Sequence, residues 1–204
     1  MKFFKTCFWV VAVILISVNC GYSQIYLNEN FEEAIPENWN EYVNPETDGF
    51  KWDTLDGGYR GHPKSAKQGE INAIFQVVSN EQPSTILVLP AAKLKYAIKP
   101  DLNFFHAQEE QSGDQDILEV YYKLGKDSAW RFLKEYTNST PYNEWKERNI
   151  QLPDSALTDS CIIGFKGISN SGFGVCIDSV SIIERGEEAQ QLDTITFNQD
   201  FEQN

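Results

Sequence analysis

The chain has 204 residues, with 17 Lys and Arg against 30 Asp and Glu, and a formal net charge of −13. That balance excludes the basic footprint by which a protein holds nucleic acid or an anionic membrane surface. A hydrophobic content of 41% with 13% aromatic residues excludes a disordered chain and is enough for one domain with a sizeable core.

Residues 1–23 read as a cleavable signal peptide. Lys2 and Lys5 supply a positive start, an apolar run follows over 8–18, and Gly21 and Ser23 put small residues where a signal peptidase cuts. The run is shorter than the roughly 20 residues of a membrane span. Two other readings stay open, a retained anchor helix and a lipid-modified Cys20, although Ser17-Val18-Asn19 is a poor lipobox. The expectation is an exported protein, secreted or held at the cell surface, with no membrane insertion once the signal is gone. Cleavage removes two lysines and no acid, so the mature chain is more acidic still.

Beyond residue 23 no stretch sustains a helical period. Short β-rich runs alternate with turn clusters such as Asp56-Gly57-Gly58, Ser112-Gly113-Asp114 and Asn170-Ser171-Gly172, the pattern of a sandwich or barrel. Strands are predicted at 25–31, 71–78, 85–89, 102–107, 117–123, 131–136, 144–151, 161–167 and 174–183. Within them Leu118, Val120 and Tyr122 share one face, as do Leu102 with Phe104 and Ile163 with Phe165, which suits strands with one face on a core. Ile177 and Val180 break the alternation. A β-bulge at Asp178-Ser179 would turn both inward and re-aim the Asp178 carboxylate.

Cys7 and Cys20 fall in the signal, leaving Cys161 and Cys176. An oxidising compartment permits a Cys161–Cys176 disulfide. If the two lay on one hairpin turning near Ser171, Cys161 would face a residue near position 181, so two free buried thiols are the other reading. Residues 185–194 are polar and patternless, as a linker is. The run Ile195-Thr196-Phe197-Asn198-Gln199-Asp200-Phe201-Glu202 then parallels Ile25-Tyr26-Leu27-Asn28-Glu29-Asn30-Phe31-Glu32. The expected organisation is therefore a signal at 1–23, a domain at 24–184, a linker at 185–194 and the start of a second repeat at 195–204, with further domains of the chain to follow.

Several of these segments together resemble a known family. Asn30-Phe31-Glu32 followed by Ile35-Pro36 and Trp39, the acidic loop ending Phe50-Lys51-Trp52, and Ile86-Leu87-Val88-Leu89-Pro90 open the series. Leu102 to His106, Gly113 to Tyr122, Trp145 with Ile150 and Leu152-Pro153, Ile163 to Gly167, and Gly172 to Val180 complete it in order. The set is similar to the gingipain-type cleaved adhesin domains and to the choice-of-anchor J and MAM-like domains of secreted bacterial proteins. The resemblance implies an all-β jelly-roll β-sandwich of two antiparallel sheets, found in adhesins and as an accessory module beside secreted enzymes. Ser179 stands where that family usually has a second Asp, and the disulfide pattern of animal MAM domains is absent.

The same resemblance implies a structural calcium ion between the first and last strands, with Glu32 and Asp178 as its carboxylate ligands. Ca²⁺ takes six to eight hard oxygens, so backbone carbonyls would complete the shell. The other reading makes Glu32 and Asp178 sheet-end carboxylates paired with turn N–H groups. Asp48 and Asp53 are a second, weaker pair. Glu109, Glu110, Asp114, Asp116 and Glu119 form an acidic cluster that could mimic a glycosidase pair, but their turn and solvent-face positions read as a solvated edge. His62 and His106 are the only histidines, and no nucleophile, base and orienter can be assembled around them. His106 reads as a half-buried, satisfied residue. Trp39, Trp52 and Trp145 read as core or loop-pinning residues, while Tyr59 and Trp130 are the aromatic candidates for ligand contact. The function expected is a non-catalytic extracellular binding or adhesin module for protein or glycan. The alternative is a carbohydrate-binding accessory domain of a larger secreted hydrolase.

Overall fold

The computed structural model describes residues 23–43, 50–77 and 82–184. Residues 1–22 of the signal with Cys20, Asp48 of the acidic loop, the linker and the repeat start lie outside the described residues. Eleven strands are described: β1 Gln24–Glu29, β2 Asn40–Tyr42, β3 Asp53–Leu55, β4 Asn72–Phe75, β5 Ser84–Val88, β6 Asp101–Ala107, β7 Ile117–Leu124, β8 Arg131–Tyr136, β9 Lys146–Gln151, β10 Cys161–Ile168 and β11 Val175–Glu184. All nine predicted runs carry a strand. The two unpredicted strands, β2 and β3, have three residues each, too few to show an alternation.

The strands form a jelly-roll sandwich of two antiparallel sheets. One runs β3-β4-β11-β6-β9, with β1 also paired to β11, and the other runs β2-β5-β10-β7-β8. Between the sheets lie alternate residues of the central strands, among them Leu102, Phe104, Leu118, Val120, Phe165, Ile177, Val180 and Ile182, each 1% exposed or less. Trp52 is buried with them and donates its indole N–H to the Thr85 carbonyl at 2.9 Å. At Gly167 a Cβ would come within 2.5 Å of the Phe75 ring of the opposite sheet, so the layers close here on the missing side chain of β10.

β11 changes neighbours along its length. Residues 175–177 pair with β4, and 180–184 pair with β1, while β6 runs along the other side. The ladder with β6 slips between Asp178 and Ser181, and Ser179 sits at φ 50°. This is the expected bulge, and it leaves both Ile177 and Val180 fully buried.

β10 and β11 are consecutive but lie in different sheets, so residues 169–174 cross between layers instead of turning a hairpin. The thiols of Cys161 and Cys176 are accordingly free and buried. Cys161 belongs to the inter-sheet core, whereas Cys176 packs with Ile74 and Ala107 on the outer face of the other sheet, under Tyr59 and Trp145. A sheet therefore stands between them, and the disulfide reading gives way to the two-thiol reading. Burial raises the Cys161 thiol to about 12.

Candidate functional site

Glu32 and Asp178 do converge, on one segment of backbone. β1 ends in a turn where Asn30 Oδ1 accepts the Glu32 N–H at 3.3 Å and Phe31, at φ 57°, drives its ring into the core. That turn aims Glu32 at residues 69–71. Both of its carboxylate oxygens accept the Glu70 N–H at 3.1 Å, and a Cβ on Gly69 would collide with Oε1. Asp178 Oδ2 accepts the N–H groups of Lys67 and Gln68 at 2.9 and 3.0 Å, and Ser179 Oγ bonds Gln68 Oε1. The loop 67–71 is thus stapled into the break where β11 passes from β4 to β1. Burial raises the Asp178 carboxyl above its ordinary 3.8, opposed by the amides of Gln68 and Lys67.

Two carboxylates supply few of the oxygens a calcium cage needs. Among the described residues no group of three or more His, Cys, Asp or Glu side chains is placed to hold a metal. Neither carboxylate is left as an unpaired buried group, so the arrangement fits an amide clamp better than a preformed ion site. Asp53, of the second pair, lies on edge strand β3 and is exposed.

Tyr59 follows the turn Asp56-Gly57-Gly58. Asn72 of β4 locks this turn, accepting the Gly57 N–H at 2.9 Å and donating to its carbonyl at 3.1 Å. Only glycine fits at 58, where a Cβ would lie 1.8 Å from the His62 carbonyl oxygen. The half-buried Tyr59 ring carries the Arg60 guanidinium at 4.9 Å and walls a cavity of about 380 Å3 beside β3. Leu55, Ile74 and Val77 give the cavity an apolar lining, and Lys51, Asp53 and Gln76 give it polar groups. Gln76 Nε2 is buried without a hydrogen-bond partner among the described residues. An apolar hollow with a few convergent polar groups is the usual form of a small-ligand site. Of this set the residue pattern signals Tyr59 as a ligand contact and Asp53 as a weaker metal candidate; Leu55 comes to it through the β3–β4 pairing, and Gln76 follows directly on β4.

Trp130 lies elsewhere. Its ring crosses the outer face of the five-stranded sheet, over Gly164 and Ile86, and its indole N–H bonds Glu41 Oε1 at 2.8 Å. Lys123, only 7% exposed, sits 4.2 Å from the ring centroid and pairs with Glu41 at 2.9 Å. Tyr59 and Trp130 therefore belong to opposite sheets and build no common site.

The acidic cluster is divided: Glu110 and Asp114 are exposed, as expected of a solvated edge, and Glu119 is half-buried, but two members depart from it. Glu109 and Asp116 are buried, at 5% and 2% exposure. Asp116 accepts the N–H groups of Asn170, Gly172 and Gly174 at 2.7, 3.1 and 2.7 Å, and burial raises its carboxyl despite them. Glu109 takes the Asn143 N–H at 2.6 Å and lies 2.7 Å from His62 Nδ1, whose ring stacks on Phe173 at 3.9 Å. The segments between strands need acceptors for their amides, and these carboxylates supply them. His106 is fully buried, not half-buried, with Nε2 2.9 Å from Gln108 Oε1. Burial lowers it to about 3, so the ring is neutral.

This architecture is a jelly-roll fold of the gingipain cleaved adhesin type. It is similar to the K1 cleaved adhesin domain of Lys-gingipain from Porphyromonas gingivalis W83, at 19% identity over 81% of this chain and 100% of that one, with a TM-score of 0.59. The K3 domain of the same protein shows 20% identity over 80% and 99% of the two chains and a TM-score of 0.56. The CBM22-1 xylan-binding domain of Xyn10C from Paenibacillus barcinonensis shows 13% identity over 82% and 97%, with a TM-score of 0.51. No family model matches the sequence, and no curated protein matches it.

Proposed function

We propose that this chain is a non-catalytic extracellular binding module whose ligand is a glycan, seated against Tyr59 in the cavity beside β3. The cavity is the observation that carries the reading: a half-exposed ring, an apolar floor, and Asp53, Lys51 and Gln76, whose Nε2 has no partner among the described residues, to meet hydroxyl groups. The fold is shared with adhesin domains and with a xylan-binding domain, which supports binding over catalysis. The buried carboxylates support it too, because Glu109 and Asp116 are already occupied by backbone amides. The extracellular setting rests on the export signal read in the sequence. Glycan-array binding followed by titration tests the proposal. Tyr59→Ala should weaken the best array ligand about tenfold or more at a temperature where circular dichroism shows the variant folded, since the ring also covers Cys176. An array without hits for the intact protein would overturn the glycan assignment.

Calcium belongs to the same proposal only as a stabiliser of the Glu32–Asp178 end, where an ion would have to share oxygens with amides 67, 68 and 70. The clamp reading expects EDTA to leave the melting temperature within about 1 °C, because nothing that binds the folded state is removed. A fall of several degrees, reversed by added calcium, would show that the two carboxylates are metal ligands.

A further inference from the structure

β8 and β9 are edge strands of the two different sheets, and residues of both line one surface groove. The groove has a volume of about 400 Å3. In a chain of net charge −13 its lining is locally basic, with Lys134, Lys146 and Arg148 against the single carboxylate of Glu135. Lys146 is paired with Glu144 at 2.7 Å. Arg148 makes no ion pair among the described residues, although it is half-buried.

Arg148 is nevertheless held in place. Its guanidinium carbon lies 4.5 Å from the centroid of the Tyr136 ring, and its Nε and Nη2 lie 3.4 Å from His106 Nδ1. His106 meets it as a neutral acceptor, because its other ring nitrogen faces Gln108 Oε1. Gln108 also fixes the opposite wall. Its amide nitrogen donates to the carbonyls of Tyr136 and Asn138 at 3.0 and 3.3 Å, and its backbone exchanges hydrogen bonds with Thr140. One buried His–Gln pair therefore positions both the cation on β9 and the segment 136–140 after β8. That segment lines the groove with Thr137, Asn138 and Ser139, hydroxyl and amide side chains exposed to solvent.

We propose that this groove is a second binding site, for an acidic oligosaccharide. An isolated sugar carboxylate would sit on the Arg148 fork, and neighbouring sugar hydroxyls would meet Thr137, Asn138 and Ser139. A preformed planar guanidinium with unused N–H donors matches a carboxylate in geometry and charge. The acidic field of the whole chain opposes a polyanion such as an acidic peptide, but a sugar bearing one carboxylate among hydroxyls needs only a local cation. Inward-pointing cations on an edge strand also discourage strand addition. Arg148→Lys keeps that protection and loses the fork, which separates the two roles.

Titration calorimetry and amide chemical shifts with three probes test the proposal: an oligosaccharide carrying one glucuronic acid, its methyl ester, and an acetylated Gly-Glu-Gly peptide. The acid oligosaccharide should bind and shift amides in 134–148, and the ester should bind about tenfold more weakly or not at all. Arg148→Gln and Arg148→Lys should each cost about tenfold, and the exposed Lys134→Gln about threefold with an unchanged fold. Tyr59→Ala should leave this binding intact, so failure of the Tyr59 cavity and failure of this groove are distinguishable. Equal binding of acid and ester, equal binding of the peptide, or full affinity in Lys134→Gln and both Arg148 variants would overturn the proposal. If Arg148→Gln does not fold, Arg148→Lys and Lys134→Gln decide the outcome.

Discussion

At the scale of single residues, buried and half-buried carboxylates here answer to the backbone. Asp116, Asp178, Glu32 and Glu109 each accept N–H groups from segments that no ladder can satisfy. Gly172 shows how tight the fit is, since a Cβ there would lie 2.6 Å from Asp116 Oδ2. His106 carries a measurable consequence. Its folded-state value of about 3 lies below the ordinary 6.5, so between these limits the unfolded chain binds a proton that the folded chain does not. Stability from this residue is complete above pH 6.5 and is lost as pH falls towards 3, at up to about 1.4 kcal/mol per pH unit. The raised carboxyls of Asp116 and Asp178 act with the opposite sign, adding stability at low pH that is lost as pH rises through their folded-state values. Replacing His106 by Gln isolates its share. The variant should be less stable than the parent at pH 7, and the gap in urea midpoint should narrow steadily towards pH 4. A gap that stays constant with pH would mean that the buried ring is not neutral.

At the scale of elements, the break in β11 organises one end of the domain. A strand that exchanges β4 for β1 midway leaves amides and a gap at the exchange. The bulge with Ser179 at φ 50° turns Asp178 to fill that gap. On the other sheet the decisive position is Gly164, where a Cβ would come within 2.7 Å of the Trp130 ring and 2.8 Å of Ile86 Cγ2. Trp130 can lie across the sheet, donating to Glu41 and covering Lys123, only because β10 has no side chain there. Gly164→Ala should therefore destabilise by about 1–3 kcal/mol, the usual cost of overpacking. It should also lift the indole off the sheet, so a lower urea midpoint should come with a red shift of tryptophan emission. A midpoint equal to the parent's would show that the ring is not seated on Gly164.

At the scale of the whole molecule, the two thiols report the layering. Cys161 faces the space between the sheets and Cys176 the outer face of the six-stranded one, so they cannot meet while the sandwich is intact. Alkylation of the folded protein should label neither residue, and both should react once it is unfolded, with no change in melting temperature on adding reductant. A native disulfide found by mass spectrometry would contradict this layering.

Nine strands and the bulge were legible in the chain, because a period of two and its one interruption at Ile177–Val180 are local properties of residue order; the turn that ends β1 at Glu29 was not, since 30–31 read as a continuation of that strand. Tyr59 and Trp130 were legible as partly exposed aromatics, and Trp52 and Trp145 as pinned ones. The three-residue strands β2 and β3, the burial of Glu109, Asp116 and Lys123, and the separation of the cysteines were not. Each depends on which strands become neighbours across tens of residues. Local order determined an all-β sandwich with one interrupted strand. Tertiary structure alone decided that β10 and β11 part into different sheets, that Gln76 joins Tyr59 at a cavity, and that Arg148 and Lys134 face one groove, because a strand's pattern marks its buried face but not the partner it will bury against.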